Sequence, residues 1–364
     1  MKKTHFFSFG GTRDWREWLV AFALALVFFV LLYGGLSLSD RSRTKEMDAL
    51  AASTLEVARE AGDVEVTVGP DETLQSMKYI LLQRPVNTRR FEGRGRWIRA
   101  DEEQTLAEKI EETEFHWLHH KVLFEREQDA RVAPGSLTKL MTILVALEQY
   151  PNLDAEVELT AEMFALFYDQ NAAIAGLSPG DVVTVRDLLA GAMLTPGAEC
   201  ASALAIYTAG SEQAFVQRMN EKAAQIGMTS THYTNVTGIE SEQDYTTVSD
   251  LALLLDYALS NADFKEIFTL WQYTTSPVYG YADGMTLTST LYGKEGFTPV
   301  MSGGAILGAK TGTTEQSGQC VAALFEKDGV EFIFVSAEGQ PGYSPTHTTQ
   351  VDDLEKAFGL VTVS

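Results

Sequence analysis

The stretch 130–150, ARVAPGSLTKLMTILVALEQY, decides the fold prediction. Pro134-Gly135 indicates a loop, and the long apolar run that follows is typical of a buried helix. Ser136 stands where the helix should begin, and Lys139 comes three residues later. Because residues i and i+3 share one face of a helix, the Lys139 amine can reach the Ser136 hydroxyl. The pair predicts an activated serine, although a serine N-cap at an exposed helix start would give the same pattern.

Segments of strand character follow much later in the chain. They read LGAKTGTT, CVAALFE and VEFIFVSAEG, and they carry alternating and β-branched residues. Between them and the first stretch lie helical patterns, including VTVRDLLAGAMLTPGAECASALAIYTAG, which Pro196-Gly197 should break into two helices. The order of strands near both ends with helices between them predicts an α+β domain.

The serine stretch and Lys310-Thr311-Gly312 together resemble the serine-type D-alanyl-D-alanine carboxypeptidases. These are low-molecular-mass penicillin-binding proteins of the serine β-lactamase/DD-peptidase superfamily. The similarity runs from about Val122 to the C-terminus and includes GLSPGDVVTVRDLLAGAML, AGSEQAFVQRMNEKAAQIGMTSTHYTNVTG and GAKTGTT. It implies an antiparallel sheet flanked by helices, with an all-helical subdomain.

The resemblance also implies catalytic roles for three side chains. Ser136 would be the nucleophile that forms an acyl-enzyme, and Lys139 would take its proton. A free lysine has a pKa of roughly 10.4, so burial or a neighbouring cation must lower the pKa of Lys139. Lys310 would be that cation.

Substrate binding would fall to the residues around Lys310. Thr311 would hold the terminal carboxylate of the substrate alongside Lys310. Gly312 would let the strand backbone approach the substrate closely. The backbone N–H groups of Ser136 and Thr313 would form the oxyanion hole.

The middle motif of the family, Ser-x-Asn, is replaced in this chain. Pro196 stands at the serine position and Ala198 at the asparagine position, so the hydroxyl and the amide are both lost. Thr195 could supply a hydroxyl as a proton shuttle, and Glu199 could act as a second carboxylate. The alternative is that Thr195 and Glu199 serve only as helix cap and helix-dipole partner.

An uncharged apolar run at residues 18–36, WLVAFALALVFFVLLYGGL, predicts an uncleaved signal anchor rather than a cleaved signal peptide. The basic residues before it place the N-terminus in the cytoplasm. The predicted organisation is a cytoplasmic tail (1–17), a transmembrane anchor (18–38), a stalk or unassigned extracytoplasmic region (39–112) and the catalytic domain (113–364). Residues 72–112 suit a linker, an insertion or the first strand of the catalytic sheet. The expected location is the cell membrane, with the catalytic domain outside.

Composition excludes several other classes of function. The formal net charge of -22 argues against nucleic acid and anionic lipid surfaces as partners. Cys200 and Cys320 form no Cys-x-x-Cys motif, so no zinc or redox site is expected, although an extracellular disulfide is open to them. The histidines in EFHWLHHKVLFE (His116, His119 and His120) suit an amphipathic strand better than a metal site. No cofactor or metal is expected.

The function that the resemblance implies is removal of the terminal D-alanine from peptidoglycan stem peptides, with β-lactams as inhibitors. The altered middle motif keeps open a non-catalytic or weakly active relative that binds cell-wall peptides at the membrane. A β-lactamase is a third possibility, but it would need an added glutamate for deacylation, which has no clear match here.

Overall fold

The computed structural model describes residues 66–69, 74–84, 121–150, 152–170, 172–294, 297–340 and 348–364. The predicted tail (1–17), the predicted anchor (18–38) and the three histidines His116, His119 and His120 lie outside these ranges. Within them, no helix combines the length and the apolar composition needed to cross a membrane. The anchor therefore stays a prediction.

The strands of the described chain group into one large sheet and three small pairs. In chain order they are β1 (Val66–Val68), β2 (Lys78–Gln83), β3 (Lys121–Arg126), β4 (Glu156–Glu158), β5 (Val182–Thr184), β6 (Gln272–Thr274), β7 (Thr286–Thr288), β8 (Val300–Met301), β9 (Gly304–Thr314), β10 (Gly318–Lys327), β11 (Val330–Gly339) and β12 (Val361–Val363). The large sheet has the order β3-β2-β11-β10-β9-β8 and is antiparallel throughout.

The α-helices lie mostly between the first and last strands of this sheet. They are α1 (Thr138–Gln149), α2 (Ala165–Gln170), α3 (Val185–Leu194), α4 (Ala198–Ala209), α5 (Glu212–Gln225), α6 (Val248–Leu259), α7 (Ala262–Phe268) and α8 (Thr349–Leu360). The predicted α+β class is confirmed, as is the break at Pro196-Gly197. Gly197 has φ +39°, and a Cβ at this position would lie 2.4 Å from the carbonyl oxygen of Gly191, so the turn between α3 and α4 requires glycine.

Both faces of the sheet are covered, because successive side chains of a strand point to opposite faces. Leu324 and Ile333 pack into a core formed with helices α1 and α3 to α7. Phe325 and Phe332, the next pair along, pack on the other face against α8. Strands buried on both faces read as continuous apolar runs, which explains why β10 and β11 were recognisable in the sequence.

Strand β2 lies inside the region 39–112 that the sequence left unassigned. It pairs with β11 from Lys78↔Ala337 to Gln83↔Phe332 and is almost completely buried. Of the three alternatives for residues 72–112, a linker, an insertion or the first strand of the sheet, the structure therefore shows a sheet strand at Lys78–Gln83. A catalytic domain that begins at residue 113 would omit a central strand, so the domain must include residues before that boundary.

Candidate active site

Ser136 lies in a short 3-10 turn, Gly135–Leu137, directly before α1. Two glycines allow close packing around this turn. A Cβ on Gly238 would lie 1.6 Å from the carbonyl oxygen of Gly135, and a Cβ on Gly312 of β9 would lie 3.1 Å from the backbone nitrogen of Ser136. Ser136 makes no capping hydrogen bond with its side chain. The simple N-cap interpretation therefore does not hold, and the half-buried hydroxyl remains available for chemistry.

Lys139 meets the Ser136 hydroxyl as the helical spacing predicted. Its Nζ donates to Ser136 Oγ at 3.2 Å and to the carbonyl oxygen of Thr237 at 2.8 Å. The side chain is only 2% exposed. Burial, assisted by the positive charge of Lys310, lowers the pKa of Lys139 to about 7, against the opposing effects of Glu199 and Cys200. An amine with this pKa is neutral in a large share of molecules at neutral pH, as a proton acceptor must be.

The carbonyl that holds Lys139 belongs to a turn that sequence analysis did not single out. Asn235 Oδ1 accepts hydrogen bonds from the backbone N–H groups of Thr237 and Gly238, at 3.0 and 2.7 Å. The amide of Asn235 donates in turn to the carboxylate of Asp244. Asn, with its short polar side chain, commonly organises turns in this way, so the sequence NVTG carried a signal for the turn but none for its contact with Lys139.

Lys310 is the second buried cation of the site. On β9 it pairs with Ala322 of β10. Ala322 packs on the face of the sheet that α1 and α3 to α7 cover, and Lys139 lies on α1. Lys310 is 1% exposed, and burial lowers its pKa to about 8. Since this value lies above the pKa of Lys139, Lys310 keeps its proton at a pH where Lys139 has begun to lose one. The two lysines are thereby suited to different roles.

Thr311 contacts a residue that the sequence did not identify. Its hydroxyl shares a hydrogen bond with the hydroxyl of Thr290 at 2.5 Å. The backbone N–H of Thr290 donates to the carbonyl oxygen of Leu194, the last residue of α3. Thr290 therefore links β9 to the end of α3, directly before the altered middle motif.

The altered loop is built differently from what a shuttle would require. The hydroxyl of Thr195 donates to the carbonyl oxygen of Gly191 at 2.7 Å, as a threonine at a helix C-terminus often does. Its hydrogen is thus committed to Gly191 and not to Lys139. Ala198 is buried at the start of α4 and offers no polar group.

Glu199 is the charged group that this loop does bring to the site. Its Oε1 accepts backbone N–H groups from Ala175, Gly176 and Leu177, while its buried Oε2 has no hydrogen-bond partner among the described residues. Burial raises the pKa of Glu199, and the three N–H groups oppose that rise. Its negative charge raises the pKa of Lys139. The carboxylate is therefore electrostatically coupled to the predicted base.

Gly312 and Thr313 complete the strand side of the site. Gly312 lies against Ser136, and Thr313 is exposed at the end of β9. The segment that carries the predicted oxyanion donor Thr313 therefore lies beside the backbone nitrogen of Ser136. A buried residue of α8, Gln350, also contacts this segment, with its Nε2 2.6 Å from the carbonyl oxygen of Gly312.

Cys320, next to Gly312, and Cys200 are both buried free thiols. Among the described residues, no cluster of side chains suits a metal ion.

Comparison with known proteins identifies relatives of this arrangement. The family model described as D-alanyl-D-alanine carboxypeptidase matches residues 118–340. A D-alanyl-D-alanine carboxypeptidase of Streptomyces sp. (strain K15) is 32% identical over 218 residues, which cover 58% of this chain and 74% of the relative. D-alanyl-D-alanine carboxypeptidase DacF of Bacillus subtilis is 26% identical over 237 residues, and the match covers 59% of this chain but only 53% of that protein.

Solved structures show the same fold. A point mutant of the Streptomyces K15 DD-transpeptidase superposes with a TM-score of 0.62 at 25% identity, covering 80% of this chain and 98% of that one. A D-alanyl-D-alanine carboxypeptidase from Mycobacterium tuberculosis superposes with a TM-score of 0.57 at 22% identity, covering 79% and 94% of the two chains. The fold is therefore that of DD-peptidases.

Proposed function

Because the chain belongs to the family of D-alanyl-D-alanine carboxypeptidases, we propose that it is a serine-type D-Ala-D-Ala carboxypeptidase acting on peptidoglycan stem peptides. One observation carries the proposal. The Lys139 amine lies 3.2 Å from the Ser136 hydroxyl and is buried, with a pKa of about 7. A serine is a poor nucleophile unless a nearby base accepts its proton, and this pair supplies both partners.

In the proposed reaction, Ser136 Oγ attacks the carbonyl carbon of the penultimate D-alanine. Lys139 accepts the hydroxyl proton, and the N–H groups of Ser136 and Thr313 bind the developing oxyanion. Lys310 and Thr311 hold the terminal carboxylate. The C–N bond then breaks, the departing D-alanine takes up the proton that Lys139 accepted, and water hydrolyses the acyl-enzyme to regenerate Ser136. A β-lactam would acylate the same serine and inhibit the enzyme.

The non-catalytic alternative rests on the loss of the Ser-x-Asn motif at Pro196 and Ala198. It is not favoured, because those two residues are not needed to form the contact between Ser136 and Lys139. A protein that only bound cell-wall peptides would have no use for a buried lysine with a lowered pKa beside a serine, since burying the amine costs free energy. The arrangement supports a nucleophile and its base.

We also propose that residues 18–38 anchor the protein in the cell membrane, with the catalytic domain outside the cell. The uncharged run 18–36 and the basic residues before it support this orientation. Protease added to cells without their wall should degrade the domain. A domain that remains fully protected in these wall-free cells, with their membrane intact, would contradict the proposal.

The test of activity combines covalent labelling with turnover. The wild-type protein should be labelled by a fluorescent penicillin and should release D-alanine from a peptide that ends in D-Ala-D-Ala. Ser136→Ala should lose both reactions by at least roughly 10³-fold, because the nucleophile is gone. Wild-type protein that is folded but neither labelled nor active would support the non-catalytic alternative. Equal labelling of Ser136→Ala would place the nucleophile elsewhere.

A further inference from the structure

Gln350 makes an unusual set of contacts for a glutamine in a helix. It is the second residue of α8 and is only 3% exposed. Its Nε2 lies 2.6 Å from the carbonyl oxygen of Gly312 and 3.1 Å from that of Cys320. The same nitrogen lies 3.2 Å from the hydroxyl oxygen of Thr313. A side chain of the C-terminal helix therefore reaches through the core to the strand segment that lies against Ser136.

The contact with Gly312 matters because one peptide plane carries both the carbonyl of Gly312 and the N–H of Thr313. The described residues, Gly312 and Thr313 among them, contain no cis peptide bonds. In a trans peptide, the C=O and the N–H point in opposite directions. A donor that fixes the Gly312 oxygen on the side shared with β10 therefore also fixes the Thr313 N–H toward the opposite edge of β9. Among the described residues, no strand pairs with that edge of β9 at Gly312 and Thr313, since β8 pairs only with Gly304 and Ala305.

We propose that Gln350 is a positioning residue for the oxyanion hole. By donating to the Gly312 carbonyl, it aims the Thr313 N–H at the place where negative charge develops during attack by Ser136. The same hydrogen bond polarises the peptide group and makes the N–H a stronger donor. The inference rests on the proposed function and deepens it. It assigns to Gln350, which lies outside the known motifs, the task of orienting the Thr313 N–H in the oxyanion hole.

A different residue holds α8 in place, so Gln350 is not required for that purpose. The carboxylate of Asp353, fully buried on the same helix, accepts the backbone N–H groups of Gln75 and Ser76, both at 2.7 Å. Leu354 and Phe358 pack into the core beside the sheet. Asp353 therefore offers a matched control: a buried polar residue of α8 that anchors the helix without touching Gly312 or Thr313.

The test measures the acylation rate constant and the dissociation constant of the preceding non-covalent complex, with a chromogenic cephalosporin. Gln350→Met keeps the length of the side chain but cannot donate, and Gln350→Glu keeps its shape but cannot donate when ionised. Both should lower the acylation rate constant roughly 10- to 100-fold, somewhat less than the outright loss of an oxyanion donor. The dissociation constant should change less than about threefold. Asp353→Asn should lower the unfolding temperature and leave the acylation rate constant unchanged.

Each other outcome overturns the inference in a distinguishable way. Folded Gln350 variants that acylate at the wild-type rate would remove Gln350 from the mechanism and leave the proposed function intact. Equal losses in Asp353→Asn would show a general effect of loosening α8, as would failure of both Gln350 variants to fold while Asp353→Asn folds. A wild-type protein that is never acylated would overturn the proposed function, and the positioning role with it.

Discussion

Strand β9 and the loop region 195–199, which runs from the end of α3 into the first turn of α4, both lie beside the pair Ser136–Lys139, but they differ in what they contribute. The strand brings a buried cation, Lys310, a hydroxyl on Thr311, and Gly312, which lies against Ser136. The loop has exchanged a hydroxyl and an amide for Pro196 and Ala198. What it keeps near Lys139 is the carboxylate of Glu199, which acts on the lysine through its charge.

The difference assigns the expected defect to one step of the reaction. In the proposed reaction the nucleophile, base, cation and oxyanion donors serve the attack on the substrate, and the loop acts on them only through the charge of Glu199. The missing hydroxyl would serve proton delivery to the leaving group, and the missing amide would hold the substrate. We therefore expect a chain that acylates, but more slowly than relatives with an intact Ser-x-Asn motif.

The largest effect should come from the strand. Lys310→Ala removes the cation that would hold the substrate carboxylate and that lowers the pKa of Lys139. With a higher pKa, a smaller share of Lys139 is neutral at pH 7. Acylation by penicillin and peptide turnover should both fall by roughly 10²- to 10³-fold, the range for loss of a preorganised charge.

Lys294→Ala is the matched control for Lys310→Ala, since Lys294 is a lysine outside the motifs. It should leave both rates within about twofold of wild type, because Lys294 is only half-buried and belongs to none of the motifs. If Lys310→Ala acylates and turns over substrate like the wild type, the strand does not supply the cation, and the contrast with the loop disappears.

A smaller effect, of opposite sign, is expected from the loop. Pro196→Ser combined with Ala198→Asn restores the hydroxyl and the amide, and penicillin acylation should become roughly 10-fold faster or more, since general acid–base catalysis contributes about 10²- to 10⁴-fold. Stopped-flow measurement of acylation decides the matter. No gain in a folded double variant would show that the natural loop already performs this task.

Thr195→Val in the natural sequence sharpens the same comparison. If Thr195 replaces the lost serine as shuttle, this variant should acylate more slowly than wild type. Because the hydroxyl donates to the Gly191 carbonyl, the shuttle role would require the hydroxyl to rotate away from that bond. An unchanged rate would leave Thr195 as the cap of α3.

The features of this site that depend on residues close together in the chain could be predicted from the sequence. Ser136 and Lys139 are three residues apart on one helical turn, and the helix break at Pro196-Gly197 follows from backbone chemistry alone. The turn at Thr237 and the hydroxyl of Thr290 were missed, because their contacts with Lys139 and Thr311 span 98 and 21 residues. A residue type such as threonine carries no sign of such a partner.

Long-range pairing also explains what was missed in the fold. Strand β2, KYILLQ, pairs with β11 about 250 residues later. A short apolar run is ambiguous between a buried strand and a helix segment until its partner is known. Gln350 was missed for a related reason, since a glutamine near the start of an amphipathic helix is an ordinary surface residue in a sequence, and only the packing of α8 on the sheet buries it.

The smallest effect should come from the group that the loop retains. The acylation rate should rise with pH as Lys139 loses its proton, with a midpoint near its pKa of about 7. In Glu199→Gln the negative charge that raises this pKa is gone, while Oε1 can still accept the N–H groups of Ala175 and Gly176. The pKa of Lys139 should therefore fall, and the rising limb of the pH profile should move to lower pH. At pH 6 the variant should acylate faster than the wild type, by less than roughly 10-fold, because one pKa unit corresponds to a tenfold change in the neutral fraction.

Glu221→Gln, an exposed substitution on α5, is the control and should leave the pH profile of the acylation rate unchanged. A Glu199→Gln profile that coincides with the wild type would limit Glu199 to holding the segment at Ala175 and Gly176, and the loop would then contribute no charge to the chemistry at Ser136.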